Sequence, residues 1–182
     1  MPSYQLKVGE KLPDFKFNTA FTSDECLSDK VKYADKTVLL FLRYYGCTLC
    51  QYDIHKLASE YDKIKSENAQ VLVILQSSPE VIAEQIIKDS LPFEIVCDES
   101  QILYKEFGIS PAASTAKMIS AGTIAKIAKA TAKGFKHGKY EGNELQLPAC
   151  FIIDKELNLK YVHYGKNAAD IPDISKLSDL LK

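Results

Sequence analysis

Apolar and polar positions in this chain switch repeatedly between two periods. Residues 37–45, TVLLFLRYY, form a β-branched and aromatic run with an unbroken apolar centre, the pattern of a strand buried on both faces of a sheet. Gly46 breaks the run, and from Cys47 the period lengthens. Ile54, Leu57, Ala58, Tyr61 and Ile64 then fall on one face of a helix. Residues 69–78, AQVLVILQSS, read as a second buried strand. Ser78, Pro79 and Glu80 carry the signals of an N-cap, a first helical position and an acidic first turn. LPFEIVCD reads as a short strand, and ESQILYKEFGI as a short helix stopped by Gly108. LPACFIID, LKYVHYG and ISKLSDLLK close the chain as strand, strand and helix, with DKEL a hairpin turn between the strands. Before residue 37 the pattern is mixed: VGEKLPDFKF suggests a turn and a short alternating strand, and SDECLSDKVKYADK a polar loop with about one helical turn.

The order is therefore β-α-β-α-β-α, an insertion, then β-β-α. Alternating units imply parallel pairing through right-handed crossovers, and the closing hairpin adds antiparallel strands, so a mixed central sheet is expected. The insertion, residues 112–140, is rich in Ala and Lys and carries no Asp or Glu. Met118, Ala121, Ile124, Ala125 and Ala128 make a weak apolar stripe, with Lys126, Lys129, Lys133 and Lys136 off it. The plain reading is a helix with a solvated lysine face; the sharper one is a cationic flap over an acidic substrate or partner. All 182 residues fit a single domain containing that insertion.

Composition narrows the classes. Charged residues make up 26% and balance to a net charge of −1, which gives no general reason to expect nucleic acid or an anionic membrane as partner. The start, MPSYQLKVGE, has no apolar core of a signal peptide, and no stretch approaches 18 consecutive apolar residues. A cytoplasmic protein without a membrane span is expected. Five cysteines, Cys26, Cys47, Cys50, Cys97 and Cys150, are too few and too scattered for a disulfide scaffold, so a close pair matters for chemistry.

Cys47 and Cys50 are that pair. They stand where a buried strand gives way to a helix, the place where unpaired N–H groups and the helix dipole stabilise a thiolate. Two intervening residues bring both sulfurs to one helix end, with the first cysteine expected to be exposed and the second to face inward. Arg43, four residues earlier, adds positive charge nearby. A redox pair is the leading reading; half of a zinc site and two inert core thiols are the alternatives, although Cys97, Cys150, His55, His137 and His163 are single and scattered. Pro148 precedes an interior strand, where a proline belongs only at the first position. A cis Leu147–Pro148 bond facing the pair would hold the Leu147 backbone open to an extended substrate. Cys150 and Cys97 read as core or edge thiols, Cys26 as a loop thiol, and His55 as solvated. No cofactor or metal is called for.

VGEKLPDFKF, TVLLFLRYYGCTLCQYDIHKLASEYDKI, VLVILQSSPE, LPFEIVCDESQILYKEFGI and PACFIIDKELNLKYVHYG together resemble the peroxiredoxin and alkyl hydroperoxide reductase superfamily over nearly the whole chain. RYYGCTLCQ and GFKHGKYEGNELQLPACFII are most similar to the peroxiredoxin-like 2 branch, which carries a CxxC. The resemblance implies an α/β thioredoxin fold with an N-terminal β extension and antioxidant thiol chemistry. It also implies a threonine and an arginine around the peroxidatic cysteine; if Cys50 takes that cysteine's place, Cys47 stands at the threonine and Arg43 at a proline, while Pro148 stands at the arginine. Weak peroxidase activity is expected on that account. The expected reaction is reduction of a hydroperoxide or a protein disulfide, with Cys47 attacking, Cys50 resolving, and a dithiol reductant such as a thioredoxin or glutathione system regenerating the pair. A non-catalytic redox sensor is the alternative from another class.

Overall fold

The computed structural model describes residues 4–182, so the first three positions of the expected domain lie outside the described residues. Two short strands, β1 (Lys16–Phe17) and β2 (Glu25–Cys26), pair antiparallel ahead of a single helical turn, α1 (Leu27–Lys30). Cys26 thus belongs to a strand, not to the polar loop its neighbours suggest. Then come β3 (Lys36–Phe41), α2 (Thr48–Ser59), α3 (Asp62–Lys65), β4 (Ala69–Leu75), α4 (Pro79–Gln85), β5 (Glu94–Cys97) and α5 (Ile102–Glu106). Two helices follow, α6 (Thr115–Met118) and α7 (Ala121–Ala132), before β6 (Ala149–Asp154), β7 (Leu159–Tyr164) and α8 (Ile174–Leu181).

The main sheet has the order β5-β4-β3-β6-β7. β3 pairs parallel with β4 and antiparallel with β6, so the sheet is mixed and β3 lies at its centre. A central strand must be apolar on both sides, and β3 divides its side chains accordingly. Val38, Leu40 and Leu42 join α2 and α8 in one core cluster; Leu39 and Phe41 join α5 and the N-terminal segment in the other. β4 and β6 divide in the same way, with Val71, Val73, Cys150 and Ile152 on the first side and Leu72, Ile74, Phe151 and Ile153 on the second.

Three expectations need adjustment. The stripe from Ile54 to Ile64 is buried at Ile54, Leu57, Tyr61 and Ile64, but it runs over two helices because the backbone leaves helical geometry at Glu60. β3 ends at Phe41, since residues 43–47 form the loop that carries the cysteine site. In α7 the buried positions are Thr123 and Ala130, with Lys126 half-buried between them, while Ile124 is 61% exposed. Of the expected stripe Met118 is buried, whereas Ala121, Ile124, Ala125 and Ala128 are exposed, because α7 turns Lys126 inward to the buried carboxylate of Asp53.

The crossover after β5 depends on one side chain. Buried Asp98 accepts from the N–H groups of Ile102 at 2.9 Å, Leu103 at 2.8 Å and Tyr104 at 3.3 Å, which would otherwise be orphan donors of α5. Tyr104 in turn donates its hydroxyl to the carbonyls of Leu42 and Ile74, tying α5 to the ends of β3 and β4. Asp98→Ala leaves those donors unpaired, and we expect a loss of about 2 kcal/mol in urea unfolding. A loss below about 0.5 kcal/mol would show that the crossover is held by other contacts.

Candidate active site

Cys47 is the N-cap of α2, in extended backbone geometry, and its Sγ accepts from the N–H of Cys50 at 3.4 Å. The strand-to-helix junction thus places the first cysteine at the helix start, as its spacing suggested. Arg43 touches both sulfurs. Its backbone N–H donates to Cys50 Sγ at 3.4 Å, and its guanidinium Nη2 donates to Cys47 Sγ at 3.0 Å. Nη1 donates to the Glu144 carbonyl at 2.8 Å, which fixes the side chain from the far side. Arg43 itself is held in line with the sheet, because its carbonyl accepts from Gln76 N–H at 2.8 Å.

These contacts split the two thiols. The hydrogen bond from Cys50 lowers the Cys47 pKa to about 6, aided by the Arg43 charge and the Cys50 N–H, and opposed by burial. Burial raises the Cys50 pKa well above its ordinary value, and the bond to Cys47 and the charge on Cys47 push the same way. One proton therefore serves the pair: Cys47 is the thiolate and Cys50 the thiol. Burial alone lifts Cys150 to about 12; burial followed by the nearby glutamate charges lifts Cys97 to about 12. Both remain protonated and form part of the structure.

The expectation that Cys47 is exposed is corrected: its exposure is 0%, and that of Cys50 is 4%. The reason is long-range. Residues 136–144 run back across the junction as a strap. Gln51 Nε2 donates to the Lys136 carbonyl at 3.0 Å, Gly138 N–H to the Gly46 carbonyl at 2.8 Å, and Asn143 N–H to Gln76 Oε1 at 2.7 Å. Tyr44 meets His137 Nε2 at 3.0 Å, and Ser77 donates to Glu141 at 2.8 Å. The strap passes so close that a Cβ on Gly46 would fall 2.1 Å from the Lys139 carbonyl oxygen. Glycine is required at position 46 by that approach. Beside Arg43 a cavity of about 240 Å³ opens between the strap and α7, lined by Leu49, Met118, Ile127 and Leu145 as well as Glu144.

One turn along α2, buried Asp53 pairs with Lys126 of α7 at 2.6 Å. Burial raises its pKa to about 6, against the pull of Lys126. Lys126 is therefore not on a solvated face; it docks α7 onto the cysteine helix. The pair was readable in part, since Asp53 lies at i+3 from Cys50 and one position before Ile54, on the buried side. Glu144, His137 and the Gly138 approach carry no local signal.

Leu147 and Pro148 stand at the threshold of β6, but not in the expected conformation. Among the described residues no peptide bond is cis, so Leu147–Pro148 is trans. A proline just ahead of a strand loses no ladder bond, and trans is the lower-energy form by about 0.5–1 kcal/mol. The Leu147 carbonyl accepts from Gln146 Nε2 at 3.3 Å and the Pro148 carbonyl from Gly165 N–H at 2.9 Å, so both acceptors are engaged within the chain. The histidines are engaged elsewhere as well: His55 is exposed against the Phe135 ring, and His163 bonds Asp170 at 3.0 Å.

Comparison with known proteins gives a consistent picture. A family profile described as "AhpC/TSA family" matches residues 8–162. Prostamide/prostaglandin F synthases of Danio rerio and Aquarana catesbeiana are each 28% identical over 156 residues, covering 79% of this chain and 73% of theirs. Among solved structures, peroxidoxin BcpB from Mycobacterium tuberculosis superposes with a TM-score of 0.65 at 13% identity, covering 97% of this chain and 95% of that one. A mutant of peroxiredoxin 6 of Arenicola marina gives 0.67 at 15%, covering 97% and 72%. A thiol:disulfide interchange protein DsbE, so assigned, from Chlorobium tepidum gives 0.60 at 17%, covering 98% and 100%. The fold is the thioredoxin fold.

Two outcomes follow from the geometry. Alkylation of Cys47 by a small reagent should titrate with a midpoint near pH 6, the rate rising as pH rises through it. Arg43→Met removes a lowering influence, so the midpoint moves up by about one unit or more, toward the ordinary thiol value of about 8.5. An unchanged midpoint would show that Arg43 does not set the charge state. Gly46→Ala forces the strap away, and we expect a bulky maleimide to gain at least tenfold in rate relative to iodoacetamide. An unchanged ratio would show that the strap does not control access.

Proposed function

The chain belongs to the AhpC/TSA family, and from that premise we propose that it is a thiol-dependent peroxide reductase working through a Cys47–Cys50 dithiol/disulfide cycle. The observation that carries the reading is the Arg43 guanidinium 3.0 Å from Cys47 Sγ, facing an apolar cavity. A peroxide bond needs a nucleophile on one oxygen and positive charge where the other departs. Cys47 and Arg43 meet both needs from one loop.

In this mechanism the Cys47 thiolate attacks the terminal oxygen of a hydroperoxide. The O–O bond breaks, leaving a sulfenic acid on Cys47 and an alkoxide that takes a proton from water. Arg43 stabilises the charge on the departing oxygen. The Cys50 thiol then attacks the sulfenic sulfur, a disulfide forms, and the oxygen leaves as water. An external dithiol, of thioredoxin or glutathione type, reduces the Cys47–Cys50 disulfide by exchange.

The small apolar cavity and the buried thiolate support an organic peroxide over a protein disulfide. A protein disulfide needs an open backbone edge beside the sulfur, whereas the carbonyls of Leu147 and Pro148 are already bonded within the chain. Similarity to proteins named prostamide/prostaglandin F synthase supports a lipid-like organic substrate.

With dithiothreitol as reductant, we expect cumene hydroperoxide to turn over at least tenfold faster than insulin disulfide. Cys47→Ser reduces both to background. Cys50→Ser keeps a single burst of peroxide consumption and leaves a sulfenic acid that dimedone traps. Arg43→Met slows peroxide reduction about 100-fold, the usual effect of removing one charge-stabilising donor. Loss of the burst in Cys50→Ser with its survival in Cys47→Ser would reverse the assignment, and faster insulin reduction would replace the substrate class.

A further inference from the structure

A second cavity lies on the other side of α7 from Arg43, bounded by α2 and by the approach to α8. Its volume is about 330 Å³, at the low end of the range for ligand pockets. The space exists because α7 presents Gly122, Ala125, Lys126 and Lys129 to it, a helix face at i, i+3, i+4 and i+7 without a large apolar side chain. Its opposite walls are Leu40, Leu57, Ile171, Ile174 and Leu177.

The charges at this cavity are unequal in their engagement. Lys126 and Asp53 neutralise each other in their ion pair. The Asp173 carboxylate caps α8, accepting from Lys176 N–H at 2.8 Å. Among the described residues, the ammonium groups of Lys56 and Lys129 have no ion-pair or hydrogen-bond partner, and both line the cavity. With Asp173 counted, the two free lysines leave one net positive charge over an apolar chamber.

We propose that this cavity binds an amphiphile with one carboxylate head and a medium-length alkyl body. The head lies between Lys56 and Lys129, and the alkyl body lies against Leu57, Ile171, Ile174 and Leu177. A single net positive charge suits a monoanion better than a dianionic phosphate. The long lysine stems cover the apolar body while their ammonium groups meet the head at the solvent edge. The site is separate from the peroxide cavity, which Arg43, Ile127 and Thr123 line on the opposite face of α7, so the proposal does not depend on the reaction assigned above.

Calorimetric titration of the full chain with decanoate below its micelle concentration tests this. Saturable one-to-one binding is expected, with at least tenfold weaker binding of decanol. The double variant K56M/K129M should lose at least tenfold in affinity for decanoate and little for decanol. Ala125→Leu, which fills the chamber from a solvent-facing helix position, should abolish binding of both, while Cys47 alkylation and the circular dichroism spectrum stay as in the parent. Absence of saturable binding, equal affinity for decanol, or tighter binding of decyl phosphate than of decanoate would each overturn the proposal.

Discussion

The contact between Arg43 and Cys47 is the constraint on which the site depends. A thiolate without exposure to water carries a large desolvation cost, and it persists only where fixed charge and donors replace the lost solvent. Arg43 supplies the charge at 3.0 Å, and the Cys50 N–H adds a donor at the first turn of α2. The guanidinium can do this only because its other nitrogen is held by the Glu144 carbonyl and its backbone by Gln76. A peripheral segment and a core strand therefore meet on one side chain, and the lowered pKa of Cys47 belongs to that junction, not to the CxxC spacing alone.

Helix α7 builds a second buried ion pair one turn further along α2, between Asp53 and Lys126. Such pairs contribute little net stability when compared with apolar packing, but they specify one docking geometry, because any other arrangement leaves a buried charge alone. Helix α7 has a thin apolar face, with Ile124 turned to solvent and Ile127 half-exposed at the cavity beside Arg43, so the pair gives its position a definition that packing does not. Two cavities, one on each side of α7, are the consequence of holding a small-residue helix above α2 by a charge contact.

Much of the fold was legible because it rests on local patterns that survive tertiary contact. The runs at 37–45 and 69–78 are apolar on both faces, and that requires central strands. Ser78 and Pro79 mark a helix start that is realised, with Ser78 Oγ accepting from Val81 N–H at 3.3 Å. The closing hairpin turns at Leu157, where φ is +68°. The candidate site was legible as a pair of residues but not as an environment. Cys47 is buried because residues 136–144 return to it from about ninety positions away, and no periodicity reports that return. The face of α7 was misassigned for a related reason: hydrophobic periodicity ranks Ile124 as the inward residue, whereas the buried partner on α2 is an aspartate that selects Lys126.

The site draws its positive charge from the loop after β3. The resemblance calls for an arginine immediately ahead of β6, where this chain has Pro148. β3 and β6 are antiparallel, with Phe41 opposite Ala149. The pairing stops there, so the loop that carries Arg43 and the Leu147–Pro148 approach to β6 leave the same end of the sheet. Arg43 supplies its guanidinium from the β3 side, and it meets Cys47, not Cys50, the cysteine that the resemblance sets at the peroxidatic place. The arrangement has a cost in freedom. An arginine four residues before Cys47 lies on the same loop as its partner and must fold back, which requires the anchor at Glu144 and so the strap. The strap in turn requires glycine at 46 and leaves the thiolate without exposure. The closed site thus goes with a positive charge carried on the loop that joins β3 to the cysteine helix.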